Sequence, residues 1–180
     1  MKIIEDILPI NYQPGRKGPY KVDCIVIHVT QGNAASVRQW FHDPAAQVSA
    51  HYMVQKDGTV VHFVHEFDTA WGNGRVDHPT AQLVLERPNA NPNWWTVSIE
   101  HEGNGHEELT DPQRKSSVEL IRAIAARHGI PIDRRHIVGH HEIYSLKSCP
   151  GAISVDRLVN DVRGPDFSDV TGGHSSTAPA

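Results

Sequence analysis

Thirteen histidines and two cysteines are spread through a chain of 180 residues, and imidazole and thiolate are the protein groups that hold zinc best. The densest stretch is His136-Ile-Val-Gly-His140-His141-Glu142, followed by Lys147, Cys149, Pro150 and Gly151. His140 follows a glycine at the end of a short β-branched run, and Cys149 lies in a segment closed by Pro-Gly. A loop of that length can bring both onto one ion. His28 stands at the far end of the apolar run Asp23–Val29 and completes a set of two histidines and one cysteine, with a fourth position open to water. Strand ends are where open α/β sheets place their sites. Spacing alone does not separate this reading from chance, because thirteen histidines bring some accidental proximity and no CxxC or HExxH signature is present.

The elements that must position these residues can be read from periodicity. DCIVIHV (Asp23–Val29) is a continuous β-branched run, the pattern of a strand buried on both faces. Gln31-Gly32-Asn33 breaks it, and Ala34, Val37, Trp40 and Phe41 follow at helical spacing, which puts Trp40 on the core side of a short helix ended by Asp43-Pro44. His51–Gln55 and Thr59–Val64 flank Lys56-Asp57-Gly58, a strong hairpin signal. Thr96–Glu102 alternates as a strand, with Glu100 and Glu102 on one face. Thr110 is an N-cap with Gln113 as its capping-box partner, and the helix it opens ends at Gly129. HIVG (136–139) reads as a short strand, and Ser154 caps a last helix through Val155, Leu158, Val159 and Val162. Residues 1–22 read as an extended lead-in over the surface, and 73–95 hold no periodic pattern. The alternation predicts one α/β domain over 1–165, its helices covering a central sheet, followed by a polar tail or linker at 166–180.

Composition removes several classes. The net charge is −4, so no broad basic face for nucleic acid is expected. No apolar run approaches the ~20 residues of a membrane span, so membrane insertion is not expected. Two cysteines make no disulfide scaffold, and Cys24, inside the first strand, reads as a small buried hydrophobe.

VIHVT, VSAHYMVQKDGTV, DTAWGNG, TVSIEHEG, VGHHEI and KSCPG stand in this order, and together they resemble the zinc-dependent N-acetylmuramoyl-L-alanine amidases of the type-2 family, which includes phage endolysins and peptidoglycan recognition proteins. The likeness runs from about Asn11 to Leu158. It implies a central mixed β-sheet flanked by helices and hydrolysis of the amide between the lactyl group of N-acetylmuramic acid and L-alanine. It implies one zinc ion on His28, His140 and Cys149, His140 being chosen over His141. Glu100 matches a glutamate that activates or orients the attacking water, with Glu102 as its rival, and Lys147 matches the position that steadies the developing oxyanion. Some relatives carry a tyrosine directly before the hairpin histidine, where this chain has Ala50-His51. Tyr52 faces away by strand alternation and does not take that role. Expected substrate contacts are Trp71 in the AWGNG turn, Trp94, Trp95 and His51, although a packed histidine fits His51 equally.

The implied partner is bacterial peptidoglycan, and a monomer is expected. MKIIEDILPI does not read as a secretory leader, because acids interrupt its apolar residues. The expectation is a phage-type lysin made in the host cytoplasm and released to the wall, with a bacterial remodelling enzyme as the alternative. Two other functions stay open: a recognition module that binds muropeptide without cutting it, and a hydrolase using Cys149 as nucleophile.

Overall fold

The computed structural model describes residues 1–165; the expected tail at 166–180 lies outside the described residues. Its strands are β1 (Ile3–Glu5), β2 (Tyr12–Gln13), β3 (Cys24–Val29), β4 (Tyr52–Val54), β5 (Val60–His62), β6 (Thr69–Ala70), β7 (Thr96–His101) and β8 (Ile137–Gly139). The helices are α1 (Ala34–His42), α2 (Gln82–Leu85), α3 (Asp111–His128) and α4 (Val155–Arg163). Six strands form one mixed sheet in the order β1-β5-β4-β7-β3-β8, and β2 pairs with β6 alone. The fold is thus the α/β architecture expected, a central mixed sheet with helices on both faces.

All of β3 is buried because it pairs in parallel with β7 on one side and β8 on the other, and both its faces are covered. β4 runs parallel to β7 and closes an antiparallel hairpin with β5, turned through Gly58 at φ 84°. Not all of the lead-in lies loose on the surface: β1 pairs in parallel with β5 at the sheet edge.

The period of two divides the sheet. Ile25, Ile27, Val97 and Ile99 pack with α3 and α4 in one core cluster. Cys24, Val26 and Val138 face the other way, against Leu83 and Val84 of α2 and Trp95. Val37 and Phe41 of α1 cover Met53, Val61 and Phe63. By the same alternation His28 and Glu100, paired in register at the ends of β3 and β7, fall on the α1/α2 face.

Three readings are corrected in detail. Trp40 is not core: it is 53% exposed, because Val37 and Phe41 take the buried line of α1 and leave it on the flank. Thr110 caps α3, accepting from Gln113 N–H at 3.3 Å, but the Gln113 side chain closes no capping box. It donates instead to the carbonyls of Val54 (2.9 Å) and Glu102 (3.0 Å), tying α3 to the sheet. The segment at 73–95 is structured after all, by α2 and a 3-10 turn at Pro92–Trp94 capped by Asn91.

A polar knot joins the hairpin to the end of α3. Glu66 accepts from Tyr52 Oη (2.7 Å) and lies 2.6 Å from His128 Nε2, and it also pairs with Arg127. Burial raises the Glu66 pKa, but the Arg127, Tyr52 and His128 hydrogen bonds outweigh it and hold the carboxyl at about 2, below its usual 4.5. A depressed folded pKa means that the stabilisation is complete above pH ~4.5 and is lost as the pH falls toward 2. Glu66→Gln should lose on the order of 2 kcal/mol less stability than wild type across that interval, measured by denaturant unfolding at stepped pH. Parallel pH curves for the two proteins would refute this role.

Candidate metal centre

The three parallel strands β7, β3 and β8 end together, and the last residues of each supply the centre. β3 delivers His28, and β7 delivers Glu100. His140 opens the 3-10 turn directly after β8. Cys149 returns in the following loop. One ligand atom from each of His28, His140 and Cys149 lies within 4.8 Å of the others, and the two imidazole centroids are 4.6 Å apart. All three residues are buried, and both cysteines are free.

Each donor is held by a backbone contact. His140 Nε2 lies 3.0 Å from the Asn73 carbonyl. That carbonyl can only accept, so the proton sits on Nε2 and Nδ1 keeps its lone pair. The Val29 N–H donates to Cys149 Sγ at 3.2 Å. His141 is turned outward; its backbone N–H donates to the Cys149 carbonyl at 2.8 Å and its ring Nδ1 is 3.1 Å from the same oxygen. Nε2 of His28 and Oε2 of Glu100 are buried without a hydrogen-bond partner, an arrangement that is expensive unless something else satisfies them. Two imidazoles, a thiol and an open approach form a donor set that suits zinc.

Electrostatics follow from burial. It holds His28 well below the ordinary imidazole value, with His140 adding to the effect, so the ring is neutral and able to ligate. Burial, with Glu100 next, pushes the Cys149 thiol up to about 12, and a cation within reach of the sulfur is what would make it a thiolate. Burial alone raises Glu100 to about 8.

The centre opens into a cleft of about 630 Å³, lined among others by His28, Glu100, His140, Lys147, Cys149 and Trp71. Glu102 does not share it. Its carboxylate accepts from Ala34 N–H (2.8 Å) and Lys56 N–H (2.9 Å), stapling the start of α1 to the hairpin. Three expected substrate contacts lie elsewhere. Trp95 is 1% exposed and packs with Cys24, Val26 and Val138 under the sheet, because the 3-10 turn folds its segment inward. Trp94 stacks near Tyr20, 5.8 Å between centroids, with Lys17 Nζ 4.5 Å over its ring. His51 is buried, accepting from Ser98 N–H at 3.0 Å and facing the Asp68 carbonyl at 3.2 Å; it is a packed histidine.

Sequence reasoning missed Asn73, Asp77, Arg75 and Gln31. Asn73 orients His140. Asp77 clamps the loop after β8, donating from N–H to the Ile143 carbonyl and accepting from Ser145 at both backbone and hydroxyl. Arg75 and Gln31 line the cleft. Only the WGNG run marked this region.

Residues 18–152 match the sequence profile of the N-acetylmuramoyl-L-alanine amidase family, Amidase_2, and the chain belongs to that family. N-acetylmuramoyl-L-alanine amidase A of Achromobacter lyticus is 30% identical over 113 residues, covering 61% of this chain and 55% of that protein. The chain thus matches about half the length of this curated relative. Among solved structures, a selenomethionine derivative of AmpD superposes with a TM-score of 0.69 at 21% identity, over 89% of this chain and 93% of that one. The amidase LysC from Clostridium intestinale gives 0.61 at 18%, over 92% and 99%. A mutant endolysin from Bacillus subtilis gives 0.63 at 19%, over 90% and 99%. These structural likenesses speak to the fold.

The loop that carries Cys149 rests on a glycine contact. Gly151 has φ 67°, and a Cβ there would meet the Gly105 carbonyl oxygen at 2.2 Å. Gly129 has nearly the same φ, 68°, with nothing within 4 Å. Gly129→Ala should therefore cost about 1 kcal/mol of left-handed strain, and Gly151→Ala a further ~1–3 kcal/mol from the clash. Equal shifts in the denaturant midpoint of the two variants would show that the Gly105 contact does not hold the loop.

Proposed function

We propose that this protein hydrolyses the amide between the lactyl group of N-acetylmuramic acid and L-alanine in bacterial peptidoglycan, using one zinc ion held by His28, His140 and Cys149. The observation that carries the reading is the convergence of these three donors within 4.8 Å on a cleft that Glu100, half-buried with its Oε2 enclosed, also lines. Family membership supports the reaction class. The wall-lytic role of a phage-type lysin is supported by the likeness to the Bacillus subtilis endolysin.

When bound, zinc polarises a carbonyl and lowers the pKa of water. The chain's own residues do the rest. Asn73 and the Val29 N–H fix the ring of His140 and the sulfur of Cys149, so donors need little reorganisation. Glu100, which burial alone holds protonated and a neighbouring cation would ionise, then takes the proton of the attacking water and returns it to the leaving L-alanine nitrogen. That task fits a carboxyl with an unbonded oxygen at the cleft. Lys147, an exposed ammonium on the same cleft, faces the oxyanion of the tetrahedral stage, where such donors contribute a few kcal/mol. Trp71 forms part of the wall against which substrate lies.

A binding-only module is the second reading, and the complete donor set with Glu100 and Lys147 argues against it. The thiol environment argues against a cysteine nucleophile, since burial raises rather than depresses its pKa.

The test is digestion of defined muropeptides with mass analysis of products. Wild type should release the intact stem peptide with a free L-alanine amine, lose activity to a chelator and regain it with added zinc. Cys149→Ser should lose both bound zinc and activity, while Glu100→Gln should keep zinc and lose at least about a hundredfold in kcat. Cleavage at any other bond, or full activity after metal removal, would overturn the proposal.

A further inference from the structure

Trp40 lies in the last turn of α1, 53% exposed, between the buried Val37 and Phe41 and open solvent. Its indole borders a second cleft of about 400 Å³, lined also by Val37, Phe41 and Val48, with Thr30 and Ser36 on its polar side. This cleft and the one over the metal centre share Gln31, Val48 and Glu100, so the indole stands on a surface continuous with the proposed proton-transfer group. Trp40 also borders a further hollow beside Gln39 and Asp43, which leaves the ring accessible to a bulky ligand.

Charge separates the two clefts. Glu100 lines both, but the cations Arg75 and Lys147 line only the first. The proposed substrate has two chemically different arms meeting at the scissile amide. The stem peptide carries free carboxylates and suits the basic cleft. The sugar arm is uncharged, because its lactyl carboxyl is tied up in the amide, and it presents apolar CH faces edged by hydroxyl and acetamido groups. Such faces lie well on an indole, and Ser36 Oγ, whose proton goes to the Asn33 carbonyl at 2.8 Å, keeps lone pairs to accept from a sugar hydroxyl.

We propose that Trp40 is the sugar platform of this protein: the second cleft takes the glycan arm, and the stem peptide runs along the cleft that holds Arg75 and Lys147. Trp40 is then a specificity-determining residue, contributing to binding and not to the chemical step. This rests on the amidase reading above.

Wild type, Trp40→Phe and Trp40→Ala are titrated with N-acetylglucosaminyl-N-acetylmuramic acid as its lactyl carboxamide, and separately with the stem tetrapeptide, by calorimetry and by NMR of the indole N–H signals. The disaccharide should move the indole signal that is missing from Trp40→Phe. Trp40→Ala should weaken disaccharide binding at least about tenfold, as an aromatic anchor does, with Trp40→Phe recovering most of it and the tetrapeptide unaffected. On a disaccharide muropeptide Trp40→Ala should raise KM with kcat nearly unchanged. Absence of disaccharide binding by wild type, an unmoved Trp40 signal, or equal weakening of sugar and tetrapeptide would overturn the platform. The two readings fail separately. Wild type that binds sugar at Trp40 yet leaves the lactyl–alanine bond intact keeps the platform and loses the reaction; wild type that cuts it, with Trp40→Ala kinetically unchanged, does the reverse.

Discussion

Buried polar atoms without partners are the constraint around which this molecule is arranged. Nε2 of His28 and Oε2 of Glu100 sit at the ends of two adjacent parallel strands, inside the protein and unbonded. Each such atom costs about 1–3 kcal/mol when nothing compensates it. Trp95 Nε1 and Ser98 Oγ are buried unbonded as well, but only His28 and Glu100 open onto the cleft with the cysteine and the second histidine. A cation among His28, His140 and Cys149, and a proton moving on Glu100, are uses that match the chemistry of the atoms concerned.

The scaffold explains why the arrangement can be held. Parallel pairing puts the ends of β7, β3 and β8 at one edge, and the period of two sends His28 and Glu100 to the same face. The helices α3 and α4 seal the opposite face with an apolar cluster, leaving the α1/α2 side to carry the opening. Loops then complete the centre through main-chain contacts: the Asn73 carbonyl on His140, the Val29 N–H on Cys149, and the His141 N–H on the Cys149 carbonyl. Val29 belongs to β3, and Asn73 is tied to β7 by its side-chain amide donating to Thr96 Oγ1 at 2.9 Å, so these two contacts pass the rigidity of the strands to His140 and Cys149.

Much of this was legible in the sequence because it depends on period and chemistry. Asp23–Val29 reads as a doubly buried strand, Asp57-Gly58 as a hairpin turn, and Thr110 and Ser154 as caps, and each forms as read. The gathering of His28, His140 and Cys149 follows from two strand ends, from the Pro-Gly-closed loop that carries Cys149, and from the family pattern. What stayed hidden depends on long-range packing. Residues 73–95 have no period, since their order comes from a four-residue helix, a 3-10 turn and contacts to distant carbonyls. The tryptophans exchanged places: Trp95 went inside and Trp40 outside. Indole is large, apolar and partly polar, so its burial is decided by which neighbour fills the core first, and Val37 and Phe41 filled it on α1. Gln113 left its capping box for the sheet because the Val54 and Glu102 carbonyls both lay within reach of its amide.

The central claim is that two imidazoles and one sulfur share a single ion. X-ray absorption at the zinc edge, together with metal content per chain, tests it most directly. The account predicts one zinc per chain with one sulfur neighbour at ~2.3 Å and nitrogen neighbours at ~2.0–2.1 Å. Substoichiometric zinc after loading, or a coordination shell that contains no sulfur, would contradict it.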